Sequence, residues 1–286
     1  MHKNQKLFRN TIFKITKYIK SIPTLFASFY TKTKNRKFTV DQLLTCILKL
    51  VKKGYSFRDA PDLLPTKIHY STIYKFFKKL VQHNVIQNTY NKTVKQYLSK
   101  SKKKTFLTDT TLIPNKMGID VIGFNPQLLK HKTSKISFIT DDTGIPIDVY
   151  VTAGNHYDSR ILIDQLNQSN CNIKYINTID NELLGDAGYD SNVIRKKLEE
   201  IKFGKLICNR NKRKTKDPIK LQKLVLTADE KIKLKKRHKV ENIFSHLKSF
   251  KRIGVRYDKK MVNYNNFVFI ASLMITTLKT SRNKEY

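Results

Sequence analysis

Leu107-Thr108-Asp109-Thr110-Thr111 and Leu184-Gly185-Asp186-Ala187-Gly188-Tyr189 decide the fold. Each closes a short β-prone run on an aspartate. Thr105 to Thr110 reads as one strand and Glu182 to Asp186 as another. Between them, Ile136 to Thr140 and Ile145 to Thr152 read as strands joined by a turn at Asp142-Thr143-Gly144, to which Asp141 also contributes. Asp158 to Leu166 is helical in pattern. After Asp186, Asp190 reads as the cap of a helix over Ser191 to Ile201. Lys205 to Cys208 is a fifth strand. Residues 209–235 are mostly basic and polar. A long helix, about Lys235 to Phe250, and an apolar C-terminal helix complete the chain.

Upstream of the first strand the period is helical. Thr39-Val40-Asp41-Gln42 has capping-box form. Leu43, Leu44, Ile47, Leu50 and Val51 then line one face, and Gly54 is a stop. Ser56 opens a second short helix that Pro65 breaks, and Ser71 a third, with Ile73, Phe76, Phe77 and Leu80 inside. Lys75, Lys78 and Lys79 lie mostly on its other side. The arrangement is that of a helix-turn-helix unit whose last helix enters a DNA groove, but three-helix units also occur without DNA. Residues 1–37 read either as a packing helix or as a basic DNA-contacting arm. Ser101 to Lys104 reads as a linker.

Charge narrows the partners. The chain has 286 residues, with 57 Lys and Arg against 22 Asp and Glu, a formal net charge of +35. Such a surface favours a polyanion, nucleic acid first. An AT-rich gene would enrich lysine, but that does not explain the scarcity of acids. Hydrophobic residues are 40% of the chain, enough for a real core. Cys46, Cys171 and Cys208 form no Cys-x-x-Cys pair, which argues against a zinc site or a disulfide framework. His131, His238 and His246 show no metal-ligand spacing. The longest apolar run, Phe267 to Ile275, is shorter than the ~20 residues of a membrane span, so no membrane is expected. Lysines interrupt the N-terminal apolar pattern, which argues against a signal peptide.

Three strands, a helix, a strand, a helix, a strand and a helix is the order of an RNase H-like domain, in which strands one and four are neighbours. Asp109 and Asp186 would then converge. A third acid comes from the late helix. Val240, Ile243, Phe244 and Leu247 form its apolar face, and Glu241 sits at the edge, with Arg237 one turn before it and Lys248 two turns after. Alone, this is equally an exposed Arg–Glu pair. Converging carboxylates suit metal-assisted displacement at phosphorus, because Mg²⁺ prefers hard oxygen ligands and two ions stabilise the attacking and leaving oxygens.

Three blocks together resemble the DDE transposases of bacterial insertion sequences, over about residues 36 to 280. The first is Gly54-Tyr-Ser-Phe-Arg-Asp-Ala-Pro61 with Ser71-Thr-Ile-Tyr-Lys-Phe-Phe77. The second joins Thr108-Asp109-Thr-Thr111, Asp142-Thr-Gly-Ile-Pro146, Ala153-Gly-Asn-His-Tyr-Asp-Ser159 and Gly185-Asp186-Ala-Gly-Tyr-Asp190. The third is Arg237-x3-Glu241-x6-Lys248, then Phe250-Lys-Arg-Ile-Gly-Val-Arg-Tyr257. The resemblance implies that Asp109, Asp186 and Glu241 bind catalytic Mg²⁺, with Mn²⁺ as a substitute, and that Arg237 and Lys248 meet DNA phosphates. Some members carry a Tyr three residues before the Arg, where this chain has Leu234. It further implies cleavage at terminal inverted repeats, strand transfer into target double-stranded DNA, a homodimer on DNA, and action in the cytoplasm at a prokaryotic nucleoid. An inactive transposase-derived DNA-binding protein and a related metal-dependent nuclease are the alternatives.

The expected class is therefore α/β. An RNase H-like mixed five-strand sheet flanked by helices occupies 101–286. A small all-α, helix-turn-helix-like domain at 38–100 precedes it, and 1–37 is a basic arm or helix. Arg252 and Arg256 are either phosphate contacts or a solvated basic face. His156 and Asp158 read as loop residues shaping the turn after the third strand.

Overall fold

The computed structural model describes residues 2–30, 37–63, 68–102, 104–125, 131–168, 171–176, 180–209 and 225–282. Two compact units share the chain. One, helical, comprises Met1–Thr93, Asn115–Asp120 and His246–Tyr286. The other comprises Val94–Pro114 and Val121–Ser245 and holds the sheet. This differs from the consecutive segments read from the sequence. The apolar C-terminal helix belongs with the helical unit because its side chains complete that core.

In the sheet unit, β1 (Thr105–Pro114), β3 (Lys132–Asp141) and β4 (Pro146–Ala153) form the antiparallel meander. Gly144 makes the turn between β3 and β4 with φ +78°, a conformation glycine adopts without penalty. Asp141 Oδ1 accepts the Thr143 and Ile145 N–H groups there. β5 (Asn181–Gly185) then lies parallel to β1, and β6 (Gly204–Cys208) parallel to β5. The strand path is β4-β3-β1-β5-β6, with a sixth strand, the two-residue β2 (Gly123–Phe124), paired to β3. The expected neighbours, strands one and four, are thus adjacent. α6 (Asp158–Asn167) packs on β4, and α7 (Asn192–Glu200) on β6.

The expected single late helix is two. α8 (Ala228–Lys235) ends, Lys236 and Arg237 form a turn, and α9 (His238–Lys248) follows. Thr227 opens α8 with both halves of a capping box to Glu230. Of the basic stretch at 209–235, residues 210–224 lie outside the described residues.

In the helical unit, α1 (His2–Lys20), α2 (Pro23–Tyr30), α3 (Val40–Lys53), α4 (Tyr70–Gln82) and α5 (Val85–Leu98) precede the sheet, α5 running on into the other unit. The Thr39–Gln42 capping box is formed in both directions, and Gly54 stops α3 with φ +79°. The expected middle helix is only a four-residue 3-10 turn, Ala60–Leu63, and Pro65 lies outside the described residues. α4 is capped by His69 rather than started by Ser71. α10 (Lys251–Gly254) and α11 (Met261–Arg282) finish the unit. α11 is long and apolar enough to cross a membrane by length and composition, yet it is mostly buried. Phe267 stacks on Phe77 at 4.6 Å, and Phe269 meets Tyr90 at 5.6 Å. α1 buries Leu7, Ile12, Ile15 and Ile19, so the packing reading holds for its inner face.

Candidate active site

Leu107 of β1 pairs with Leu184 of β5. Two residues further, Asp109 is still in β1 and Asp186 has just left β5. Strands pair ~4.8 Å apart, so the parallel register brings two carboxylates to one end of the sheet. Burial pushes the Asp109 carboxyl up to about 6. The Thr110 N–H and the Arg237 guanidinium pull the other way, while Asp186 and Asp158 add to the rise. Asp109 Oδ1 accepts the Thr110 N–H at 2.8 Å, and Oδ2 accepts from Arg237 Nη1 at 3.0 Å.

Asp186 folds back on its own turn, where its Oδ1 accepts the Gly188 N–H at 2.7 Å. Both glycines of this motif serve space rather than backbone torsion, since neither has positive φ. A Cβ on Gly188 would come within 2.9 Å of Asp186 Oδ1, and one on Gly185 within 2.9 Å of the Tyr189 ring.

A third carboxylate stands here that the sequence reading placed in a loop. Asp158 is the first residue of α6, and its Oδ1 accepts from Thr110 Oγ1 at 2.7 Å and from buried Lys135 Nζ at 2.9 Å. His156 keeps the loop role, with Nδ1 3.0 Å from Thr152 Oγ1. The signal for Asp158 lay in topology: β4 flanks β3, and α6 returns toward β1. Asp190 does not cap α7. It pairs with Arg195 at 2.8 Å, and Ser191 holds the cap position.

Arg237 reaches Asp109 from the turn before α9. Glu241, four residues on, is exposed in the first turn of α9 and has no hydrogen bond or ion pair among the described residues. Among the described residues no three His, Cys, Asp or Glu side chains form a ready metal cluster. The fold brings Asp109 and Asp186 together and leaves Glu241 apart from them.

The basic residues divide sharply. In the helical unit Lys75 is exposed on α4 and Lys248 at the end of α9. Lys78 is partly buried, 3.5 Å from Asn263 Oδ1, and Lys79 donates to the Ser28 carbonyl and lies over the Phe29 ring. Arg252 and Arg256 correct the expectation of phosphate contact or a solvated face. Arg252 bonds the Tyr55 carbonyl and Asp258, and covers the Phe57 and Phe267 rings. Arg256 is fully buried and bonds the Asp120 carboxylate and the carbonyls of Asp120, Asp258 and Lys259. Both guanidiniums are spent on holding the chain together.

The sequence model of the transposase DDE domain matches residues 87–276, well over half of the chain. The chain belongs to the DDE transposase family. It is a DNA transposase, an enzyme that cleaves and transfers DNA strands, and it acts with divalent metal. The fold resembles that of the piggyBac transposase in a cryo-EM synaptic complex with hairpin DNA. The TM-score is 0.52 at 10% identity, over 99% of this chain and 76% of that one. The Mos1 transposase paired-end complex with left transposon end gives a TM-score of 0.27 at 11% identity, over 80% and 86% of the two chains. No curated protein sequence matches the transposase.

Proposed function

We propose that Asp109 and Asp186 hold the divalent cation of this transposase, with Glu241 as the third ligand, Mg²⁺ as the usual ion and Mn²⁺ as its substitute. The observation that carries this reading is the Asp109–Asp186 juxtaposition, with Asp109 pushed up to about 6. Desolvated like charges side by side favour a cation. The donor set is all carboxylate oxygen, the chemistry Mg²⁺ and Mn²⁺ take. When bound, the cation stabilises the attacking and leaving oxygens of an in-line displacement at phosphorus.

The chain's own residues do the rest. Arg237 neutralises Asp109 in the metal-free chain. With Lys248 it then positions the scissile strand through phosphate contacts, and Lys75 supplies a phosphate contact from the helical unit. The substrate is double-stranded DNA bearing terminal inverted repeats. Hydrolysis frees a 3′-OH, which attacks target DNA. Two copies pair two element ends as a homodimer, at the nucleoid in the cytoplasm of a prokaryotic host.

The test is cleavage of a duplex carrying the element's terminal repeats, with Mg²⁺ or Mn²⁺. The expected products are a 3′-OH nick and a joined target strand. Asp109→Asn, Asp186→Asn and Glu241→Gln should each abolish both. Near-normal cleavage by either aspartate variant defeats the metal assignment; near-normal cleavage by Glu241→Gln alone removes only the third ligand.

A further inference from the structure

Behind the paired carboxylates two buried hydroxyls lack a partner. Tyr189 is fully buried, with its ring against Gly185, and its hydroxyl makes no hydrogen bond among the described residues. The same holds for Thr108 Oγ1, on the residue before Asp109. The Tyr189 N–H bonds the Asp186 carbonyl at 3.2 Å, which ties the phenol to the turn that carries the second carboxylate. The phenol lies in the field of Asp158, Asp109 and Asp186.

Unmet buried polar atoms are rare in folded proteins and cost stability. A phenylalanine would fill the same space without that cost. The hydroxyl therefore has no use in packing, and its neighbours point to what it serves. Mg²⁺ and Mn²⁺ keep several waters when bound by carboxylates. A water on a divalent cation is a strong donor, and a neutral phenol oxygen accepts hydrogen bonds. Burial and the three acids push the Tyr189 pKa well above its ordinary value, so the phenol stays neutral.

We propose that Tyr189 is a positioning residue whose hydroxyl hydrogen-bonds to the hydration shell of the cation held by Asp109 and Asp186. This rests on the metal assignment made above. Outer hydrogen bonds of this kind orient the inner ligands, and losing one weakens metal affinity by ~10–100-fold.

The experiment compares the full wild-type chain, Tyr189→Phe and Asp186→Asn, without DNA. Mn²⁺ binding is read from the free-ion electron paramagnetic resonance signal, and stability from metal-free thermal melts. Tyr189→Phe should melt at the wild-type temperature or higher, yet bind Mn²⁺ about tenfold more weakly or worse. Asp186→Asn should lose Mn²⁺ binding. Wild-type Mn²⁺ affinity in Tyr189→Phe, with binding lost in Asp186→Asn, overturns the proposal and leaves the metal site standing. A lower melting temperature for Tyr189→Phe means the hydroxyl is satisfied within the chain, and that also overturns it. If Asp186→Asn is indistinguishable from wild type, the metal assignment has failed and takes the proposal with it.

Discussion

Asp109 on β1 and Asp148 on β4 are both pushed up to about 6 by burial, but the two corners of the sheet are built differently. Around Asp148 every carboxylate oxygen is answered. Gln165 Nε2 donates to Oδ2 at 2.7 Å and the Asn172 N–H to Oδ1 at 2.9 Å. Gln165 in turn accepts from Ser137 Oγ at 2.7 Å. This closed knot ties β3, β4, α6 and the following 3-10 turn together. Around Asp109 stand two further carboxylates, one guanidinium from 128 residues away and a phenol with no partner. A shifted carboxyl by itself does not mark a site, because structural networks shift carboxyls too. Like charge and unmet hydrogen bonds around it do.

The largest effect separating the corners is on chemistry. Asp109→Asn should lower DNA cleavage at least ~100-fold, the scale of removing a group that stabilises transition-state charge. Asp148→Asn should leave cleavage per folded molecule unchanged. Equal losses in both variants would erase the distinction.

Stability should respond in the opposite sense. In Asp148→Asn the new amide N–H₂ faces donors that need an acceptor, at a cost of ~1–3 kcal/mol in urea denaturation. Asp109→Asn removes a desolvated charge beside two others and should cost far less. A destabilisation of Asp148→Asn under ~0.5 kcal/mol would mean its knot is not structural.

A third test uses pH. Both carboxyls hold their protons more tightly folded than unfolded, so between about 4 and about 6 the native state binds more protons than the unfolded chain. Their contribution to stability is therefore present at low pH and is lost as pH rises through about 6. Mn²⁺ should restore the Asp109 share only where that group is ionised. The Mn²⁺-induced rise in melting temperature should be clear at pH 7.5 and small at pH 5. An equal rise at both pH values would detach Asp109 from the metal.

The smallest expected effect is local. Arg237→Gln removes a charge that pulls the Asp109 carboxyl down, so its ¹³C titration should move above about 6 while that of Asp148 stays put. A co-moving Asp148 would mean the corners are coupled.

The sequence carries the elements whose signals are local. The β1 and β5 aspartates, the turn at Gly144, the Thr39 capping box and the Gly54 stop each rest on a few adjacent residues. What it hides depends on distant partners. Arg252 and Arg256 look like surface cations until Asp258 and Asp120 are placed beside them. Asp158 looks like a loop residue until α6 returns it to Thr110. The split of the late helix is a different failure, because Thr227-Ala228-Asp229-Glu230 has capping-box form and announces the start of α8. Glu241 rests on motif spacing and family membership, since the described geometry holds Arg237, not Glu241, on Asp109.

One feature of the helical unit bears on how the enzyme is made. Phe77 and Tyr90 find their aromatic partners on α11, and Arg256 nails 115–120 to the segment before it. During synthesis, the unit that emerges first from the ribosome is therefore finished last. A prematurely terminated copy would carry the apolar faces of α3 and α4 uncovered, the condition that invites aggregation. It would be cleared rather than persist as a small protein competing with intact enzyme for DNA ends.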